Sequence, residues 1–304
     1  MCWRMCEPST GRATKSPGVS KLDVMAITEL SDAYLHRFAG IARLYGNKAL
    51  PAFASAHVCV IGIGGVGSWV AEALARSGIG QLTLIDLDDI CVSNTNRQIH
   101  ALSSTVGKDK VSVMAERVRD INPECQVQQI EDFISTDNLR QLLTNNFSYV
   151  VDCIDSIKSK TALIAYCKRN KIPLVTIGGA GGQLDPTQIT LGDLAMTTND
   201  PLLAKVRNNL RRDYNYSRNV KRRFGIDAVY STEQLKYPQP DGSVCGAKSA
   251  SDGAMRLDCS SGFGAVTVVT ASFAFVAVAR VLKKIADKAN QAASTEAVTE
   301  RAAE

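Results

Sequence analysis

The chain lacks any pair of cysteines with the CxxC spacing that structural zinc sites use. Its nine cysteines are scattered, and several lie within apolar segments, where cysteine usually acts as a small buried hydrophobic residue. We therefore expect no zinc site, and we expect the chain to work in the reducing cytoplasm.

The amino terminus lacks the apolar stretch of a signal peptide, so we expect residues 1–25 to form a disordered extension. Residues 287–304 are polar and are expected to form a flexible tail. One long apolar run, residues 264–282, has the length of a membrane span, but Thr267, Thr270, Ser272 and Arg280 interrupt it. We interpret it as an apolar helix of the core or of a dimer interface, with membrane association as the weaker alternative.

The 304 residues are 45% hydrophobic and 21% charged, which suits one large α/β domain or two small ones. We assign residues 26–286 to the folded domain. The formal net charge of +5 is mildly basic, which is compatible with an RNA partner without requiring one.

Residues 57–98 have the pattern of a nucleotide-binding βαβ unit. An apolar strand from Val58 to Ile61 is followed by glycines, then by a helix from Ser68 to Arg76 and a second strand from Gln81 to Ile85. Glycines let the backbone turn tightly and approach an anion, and the helix start offers N–H groups to phosphate. Predicted nucleotide contacts here are the turn residues Gly62, Gly64, Gly65 and Gly67, and Asp86, which is placed to bind a ribose.

The glycine turn alone fits a dinucleotide as well as ATP, and the residues after it favour ATP. Arg97 and Lys110 are cations that a dinucleotide site does not need but that a triphosphate does. Asp155, at the end of a later strand, is expected to hold Mg²⁺. We therefore predict Arg97, Lys110 and Asp155 as the catalytic residues, with Asp88, Asn94 and Gln98 orienting the sugar or the phosphates.

The rest of the chain predicts a Rossmann-like, doubly wound α/β fold with a mainly parallel sheet and an antiparallel extension. Further strands are expected at residues 126–133, 149–155 and 173–177, and the antiparallel part is expected to begin at 188–191. Residues 57–180 would form the nucleotide-binding core. Residues 181–260 would form the substrate-contacting and RNA-contacting region, including a polar crossover loop.

Residues 205–223 form a strongly basic stretch with Tyr214 and Tyr216 among the cations and Asp213 as its one acid. Cations neutralise phosphates and aromatic rings stack on unpaired bases, so we predict contact with RNA rather than a plain solvated helix face. The predicted RNA-binding residues are Lys205, Arg207, Arg211, Arg212, Arg218, Lys221, Arg222 and Arg223. The glycines of residues 178–182 fit either a substrate-facing backbone or close packing.

Several motifs in order resemble one enzyme family. GIGGVG, DLDD, SNTNRQ, GKDK and DCIDS are similar to the motifs of ubiquitin-activating-like (ThiF/MoeB-type) adenylyltransferases. RFAGIARLYG, GGAGGQLDPT and KSASDGAMRLDCSSGFGA resemble the branch of tRNA threonylcarbamoyladenosine dehydratases, over about residues 30–286. The resemblance implies ATP and Mg²⁺ as cofactors, a homodimer, and a reaction in which a carboxylate on tRNA is adenylated and then closes into a ring with loss of water.

The same resemblance suggests two further residues. An arginine of the amino-terminal helix reaches the nucleotide in the family, sometimes that of the partner subunit. The aligned position here is Gly40, and Arg43 is the nearest substitute. Cys245 lies in the loop where some relatives carry a thioester or persulfide nucleophile, although dehydration needs no thiol.

Three alternatives remain open at this point. Adenylation of a small sulfur-carrier protein, with a cysteine desulfurase or sulfur acceptor as partner, would use Cys245. A nicotinamide dehydrogenase would use the glycine turn but would leave Arg97 and Lys110 without a role. A non-catalytic RNA-binding module would use the basic stretch alone.

Overall fold

The fold comes from a computed structural model that describes residues 30–143, 146–239, 241–246 and 263–303, with side chains as far as residue 292. The predicted extension at residues 1–25 lies outside these ranges, as does most of the crossover loop.

A seven-stranded sheet forms the centre of the molecule, in the order β3-β2-β1-β4-β5-β7-β6. The first six strands in that order are parallel to their neighbours, and β6 is antiparallel to β7. This confirms the predicted α/β fold with a mainly parallel sheet and an antiparallel extension. The strands are β1 His57–Ile61, β2 Gln81–Ile85, β3 Gln126–Ile130, β4 Tyr149–Asp152, β5 Leu174–Ile177, β6 Ile189–Asp193 and β7 Asp227–Ser231.

Helices cover both faces of the sheet because its central strands are apolar on both sides. In β1, Val58 and Val60 join one buried cluster, whereas Cys59 and Ile61 join another. The first cluster lies under α2 Ala49–Ser55, α3 Gly67–Arg76, α4 Lys110–Ile121 and the long α8 Thr267–Ala303. The other face carries α5 Leu139–Leu142, α6 Ile157–Arg169 and α7 Pro201–Asp213.

The first helix, α1 Asp32–Tyr45, lies at the edge of the sheet where the parallel strands begin. The Tyr34 hydroxyl donates to the Gly78 carbonyl at 2.6 Å, just before β2, and the Ser31 hydroxyl donates to Glu124 at 2.7 Å, just before β3. We call this the amino edge of the sheet, and the opposite edge, where the glycine turn follows β1, the carboxyl edge.

Two elements differ from the sequence prediction. Strand β7 was not predicted, and it joins the antiparallel β6 to the parallel β5, so that the region after residue 180 extends the same sheet. Helix α8 was expected to end near Leu282, with a loose tail from Asp287, but it continues to Ala303. Its last part is rich in Ala, which favours helix, and extending a packed helix costs much less than starting one.

None of the helices in the described residues has the length and apolarity needed to cross a membrane. Two short strands, β8 Tyr237–Pro238 and β9 Val244–Cys245, form a separate antiparallel pair.

Candidate nucleotide-binding site

A cavity of about 660 Å³ opens at the carboxyl edge of β1, β2, β4 and β5. Its wall includes all of the predicted nucleotide-binding residues except Gly67, which lies behind the turn, and Arg43. Ligands bind at this edge in open α/β sheets, where the strand order reverses between β1 and β4.

The glycine turn has the tight geometry that its sequence predicts. Gly62 has a φ of +87°, a conformation that side-chain-bearing residues rarely adopt. A Cβ on Gly67 would lie 1.7 Å from the Gly62 carbonyl oxygen, so only glycine fits there. Helix α3 therefore begins directly against the turn, with its first N–H groups near the cavity.

Asp86 supports this turn from the end of β2. Its carboxylate accepts hydrogen bonds from the Ile63 N–H at 2.6 Å and the Asp88 N–H at 2.9 Å. Burial raises the pKa of Asp86, and the nearby Lys110 partly opposes that rise. Both carboxylate oxygens already hold backbone groups, so Asp86 shapes the anion site as well as lying beside the predicted ribose position.

Lys110 is the first residue of α4, and its side chain is only 7% exposed. Its ammonium donates to Asp88 at 2.7 Å and lies 3.9 Å from Asp86. The three residues thus form a charge cluster on the wall of the cavity, an ion pairing that the sequence did not predict.

Arg97 extends across the glycine turn. A Cβ on Gly65 would lie 3.2 Å from the Arg97 side chain, so the two are in contact distance. The Trp69 indole donates to the Arg97 carbonyl at 3.0 Å, and the Asn96 amide donates to the Ala265 carbonyl at 2.8 Å. The loop that carries Arg97 is therefore anchored to both α3 and the start of α8.

Two amides follow the same loop. The Asn94 side chain is buried and accepts from the Cys91 N–H at 3.0 Å, which shapes a short 3-10 turn. Gln98 is 5% exposed, and its Oε1 has no hydrogen-bond partner among the described residues. A buried carbonyl oxygen in this position is suited to accept from a ligand hydroxyl or amine.

Asp152 is the last residue of β4 and Asp155 follows the strand, and the two carboxylates have different environments. Asp155 is exposed on the cavity wall, whereas Asp152 is fully buried and forms an ion pair with Lys160 at 2.9 Å. Asp152 also accepts from the Thr176 hydroxyl at 2.7 Å. Asp152 therefore has a structural role, and Asp155 is the carboxylate that faces the cavity.

Asp200 is a cavity residue that the sequence did not point to. Its carboxylate caps α7 by accepting from the Leu203 N–H at 2.8 Å, and it also accepts from the Gly179 N–H at 3.0 Å. A Cβ on Gly178 would lie 1.8 Å from this carboxylate, so part of the glycine-rich loop serves close packing. Gly179 and Gly181 line the cavity, so the loop fits both of its predicted roles.

The cations of the basic stretch fall into two groups in the structure, those that are simply exposed and those that contact other side chains. Lys205, Arg218, Lys221, Arg222 and Arg223 are exposed. The Arg207 guanidinium bonds to the Thr197 hydroxyl, Arg211 lies 5.4 Å from the centre of the Phe224 ring, and Arg212 pairs with Asp213 at 2.8 Å. The predicted stacking of bases on Tyr216 is wrong, because its ring packs against Phe224 at 4.9 Å between centroids. Tyr214 likewise packs against the buried cluster under α7.

Two candidates lie away from the cavity. Arg43 is on α1 at the amino edge, so the prediction that it contacts the nucleotide of its own subunit is wrong; contact across a dimer stays a prediction. Cys245 is half-buried in β9, where its backbone pairs with Tyr237, and it does not line the cavity. Over the described ranges, no group of three His, Cys, Asp or Glu side chains is arranged to hold a metal.

A tight glycine turn at the carboxyl edge of a parallel sheet, with an arginine across it and a fixed lysine beside it, defines a nucleotide-binding α/β protein. The sequence profile of the ThiF family matches residues 37–302. The chain therefore belongs to the ThiF family, in the branch of the tRNA threonylcarbamoyladenosine dehydratases.

Full-length relatives and solved structures support that placement. The chain is 61% identical over 260 residues to the tRNA threonylcarbamoyladenosine dehydratase of Escherichia coli, covering 86% of this chain and 97% of the relative. It is 57% identical to the Haemophilus influenzae enzyme of the same name, covering 87% and 99%. The crystal structure of the Escherichia coli enzyme in complex with ATP matches with a TM-score of 0.77 at 56% identity, covering 87% of this chain and 99% of that chain.

Proposed function

We propose that the chain is an ATP-dependent tRNA threonylcarbamoyladenosine dehydratase, which cyclises N6-threonylcarbamoyladenosine next to the tRNA anticodon. The observation that carries the proposal is the 61% identity over 97% of a relative with that name. The cavity agrees with it, because Arg97, Lys110 and Asp155 face the same space as the glycine turn.

ATP would lie with its phosphates at the glycine turn and at the start of α3, where unpaired N–H groups and the helix dipole favour anions. Its ribose would lie toward Asp86 and Asp88 at the end of β2. Asn94 and Gln98 would orient the nucleotide from the adjacent loop. The relatives' structures with ATP and with AMP carry these ligands, which supports the same ligands here.

In the first step, a carboxylate oxygen of the threonylcarbamoyl group attacks the α-phosphorus of ATP and pyrophosphate leaves. Negative charge grows on the phosphate oxygens during this exchange. Arg97 and Lys110 would stabilise that charge, since fixed cations in a partly enclosed site act without reorganising. The product is an acyl-adenylate.

In the second step, a nitrogen of the same threonylcarbamoyl group attacks the activated carbonyl. The carbon–nitrogen bond forms, the bond to AMP breaks, and the nitrogen's proton is released. The substrate has then lost one molecule of water, and ATP has become AMP and pyrophosphate. The protein need only position the groups and shield them, because the substrate supplies the nucleophile.

Mg²⁺ fits this site through Asp155. Mg²⁺ is commonly held by one or two carboxylates together with substrate phosphates and water, and Asp155 is an exposed carboxylate on the cavity wall. When bound, the ion would neutralise phosphate charge. The absence of paired CxxC cysteines argues against a zinc site as well.

The proposal includes tRNA as the substrate, with phosphate contacts from the basic stretch, a homodimer as the assembly and the cytoplasm as the location. The exposed Lys205, Arg218, Lys221, Arg222 and Arg223 are the members of that stretch best placed to meet RNA.

The test is to incubate the protein with ATP, Mg²⁺ and threonylcarbamoylated tRNA, and then to digest the tRNA and weigh the nucleoside. We expect the mass to fall by one water while AMP and pyrophosphate appear. Unmodified tRNA is the control and should give neither change. If no AMP is formed with the modified tRNA, the proposal is wrong.

A second candidate is adenylation of a sulfur-carrier protein followed by sulfur transfer, with a cysteine desulfurase or sulfur acceptor as partner. It is favoured by 34% identity over 49% of this chain to the Salmonella typhimurium molybdopterin-synthase adenylyltransferase. The position of Cys245 outside the cavity wall counts against it. Trapping a thioester or persulfide at Cys245, and its loss in Cys245→Ser, would favour this second candidate.

A further inference from the structure

A second groove, of about 1240 Å³, crosses the amino edge of the sheet, on the side opposite the nucleotide cavity. The first residues of β4, β5 and β7 form its floor. The last turn of α6 and the middle of α8 form its walls. None of the residues placed in the nucleotide site contributes to it.

The walls of this groove are positively charged. Lys168 comes from the last turn of α6 and Lys171 from the turn that follows it, and Lys284 and Lys288 come from α8. Across the described ranges, none of these four lysines has a carboxylate within 4.0 Å.

The two carboxylates that line the groove are already engaged by other cations. The Arg280 guanidinium donates to both oxygens of Asp227, at 2.7 and 3.0 Å. Lys283 pairs with Asp287 at 3.1 Å. The four wall lysines are therefore left as uncompensated charge.

The exposed part of the basic stretch continues this surface. Arg218, Lys221, Arg222 and Arg223 directly precede Gly225 and the start of β7. The Lys168 ammonium donates to the Gly225 carbonyl at 3.1 Å, which ties the end of α6 to the end of that loop. The loop that carries these cations therefore ends at the groove, where Gly225 lines the wall beside Lys168.

We propose that this amino-edge groove binds the phosphodiester backbone of the tRNA, away from the nucleotide that enters the catalytic cavity. This inference rests on the proposed function. Lysine ammonium groups neutralise phosphates as point charges without reading sequence. Among the described residues, the one aromatic side chain that lines the groove is Tyr149, which is buried with its hydroxyl on Asp227, so these residues present no exposed ring for base stacking.

The spacing between the two sites suits a structured RNA. Thr270 lines the nucleotide cavity and Lys288 lines the groove, and both lie on α8. Eighteen residues of helix separate them, which is about 27 Å at 1.5 Å per residue. A folded tRNA is large enough to engage both sites, whereas a short oligonucleotide of the anticodon loop reaches only the cavity.

The experiment compares the charge reversal Lys284→Glu/Lys288→Glu with the wild type and with a matched control, Arg119→Glu/Arg140→Glu. The control changes the charge equally, at exposed positions that line neither the cavity nor the groove. Binding of whole tRNA is measured over a series of KCl concentrations. Thermal stability and ATP affinity are measured for each variant to show that the fold and the nucleotide site are intact.

We expect the groove variant to bind tRNA at least about tenfold more weakly, and its plot of log affinity against log salt to be shallower by roughly 1–2. Affinity for an anticodon-loop oligonucleotide should not change. With whole tRNA, KM for AMP formation should rise while kcat is retained. The control variant should match the wild type in tRNA affinity, in salt slope, and in KM and kcat for AMP formation.

The proposal is overturned if the groove variant keeps the wild-type tRNA affinity and salt slope, if the control weakens binding equally, or if the wild type does not bind tRNA. It is also overturned if the groove variant changes only the oligomeric state on a sizing column, since the groove would then be an interface between copies. A protein that binds tRNA through the groove but forms no AMP would contradict the proposed function, whereas the proposal that the groove binds tRNA would still stand.

Discussion

The two edges of the sheet carry charge in opposite ways. At the carboxyl edge, buried lysines are held by carboxylates, as in the pair of Lys110 with the exposed Asp88 at 2.7 Å and the fully buried Asp152–Lys160 pair at 2.9 Å. At the amino edge, the groove lysines are exposed and lack carboxylate partners within the described residues. Paired, buried charges suit chemistry at defined atoms, whereas exposed cations without carboxylate partners suit attraction of a polyanion.

The largest expected effect tests whether the carboxyl edge depends on its buried charges. Lys160→Met would leave the Asp152 carboxylate buried without its counter-ion, since both side chains are fully buried. We expect the free energy of unfolding to fall by about 3–5 kcal/mol. Urea denaturation measures it, with Lys158→Met on the exposed side of the same helix as the control, expected within about 0.5 kcal/mol. Equal losses of unfolding free energy in Lys160→Met and Lys158→Met would show that the carboxyl edge does not depend on this buried ion pair.

The next effect concerns catalysis at the carboxyl edge. Arg97→Ala removes a cation that crosses the glycine turn, while the backbone contact to Trp69 can remain. We expect the rate of AMP formation to fall by about 10²–10³, the usual loss for one group that stabilises developing charge. Rates are measured at saturating ATP and tRNA. Arg119→Ala, an exposed arginine, should keep the wild-type rate, and an unchanged rate in Arg97→Ala would exclude its proposed role.

Acid should test two shielded histidines, the half-buried His57 and the buried His100. Burial lowers the pKa of His57, at the amino edge, to about 4, and burial together with Lys110 and Arg117 lowers that of His100 to about 4. Both folded values lie below the unfolded value of about 6.5, so the unfolded chain binds more protons between pH 6.5 and 4. The stability that they contribute is present above pH 6.5 and is lost as the pH falls through 4.

His100→Leu should therefore flatten the pH dependence of stability. We expect the wild type to lose on the order of 3 kcal/mol more than His100→Leu between pH 7 and pH 4, from urea midpoints at each pH. Comparison at the same pH values cancels the opposite contribution of Asp86 and Asp200, whose raised pKa values favour the folded state in acid. Parallel pH curves for the two proteins would show that His100 is not the cause.

The smallest effect is expected for an exposed ion pair near the amino edge. Arg212 and Asp213 pair at 2.8 Å at the end of α7, but both are largely exposed. Arg212→Ala should leave the urea midpoint of unfolding close to that of the wild type, because an exposed ion pair contributes little to stability. A loss comparable to that of Lys160→Met would show that the two edges do not differ in the way proposed.

Much of the site could be predicted because it follows local patterns. The strand from Gln81 to Ile85 and the glycine turn have strong signals within a few residues, and parallel strands bring their carboxyl ends to one edge. That logic placed Asp86, Arg97, Lys110 and Asp155 around one cavity. Their functional roles remain predictions.

The remaining features depend on partners far away in sequence. Nothing near Lys160 or Asp200 signals that one neutralises Asp152 or that the other holds Gly179. Tyr216 was predicted to stack on bases because the sequence gives no sign of its packing partner. That partner, Phe224, reaches Tyr216 only through the turn after α7. Strand β7 is short and follows a charged loop, so its apolar signal was too weak to predict.

Helix α8 sets a fixed distance between the nucleotide cavity and the amino edge of the sheet. It begins beside the loop of Arg97, where the Thr267 hydroxyl donates to the Asn96 carbonyl at 2.6 Å, and it reaches the amino edge, where Asn290 donates to the Tyr45 carbonyl at 3.2 Å. A straight helix hardly stretches, because every turn is closed by its own hydrogen bonds. A ligand that binds at both ends of α8 would have to match this distance in length and rigidity. The protein would therefore select an RNA stem by its shape rather than by its sequence.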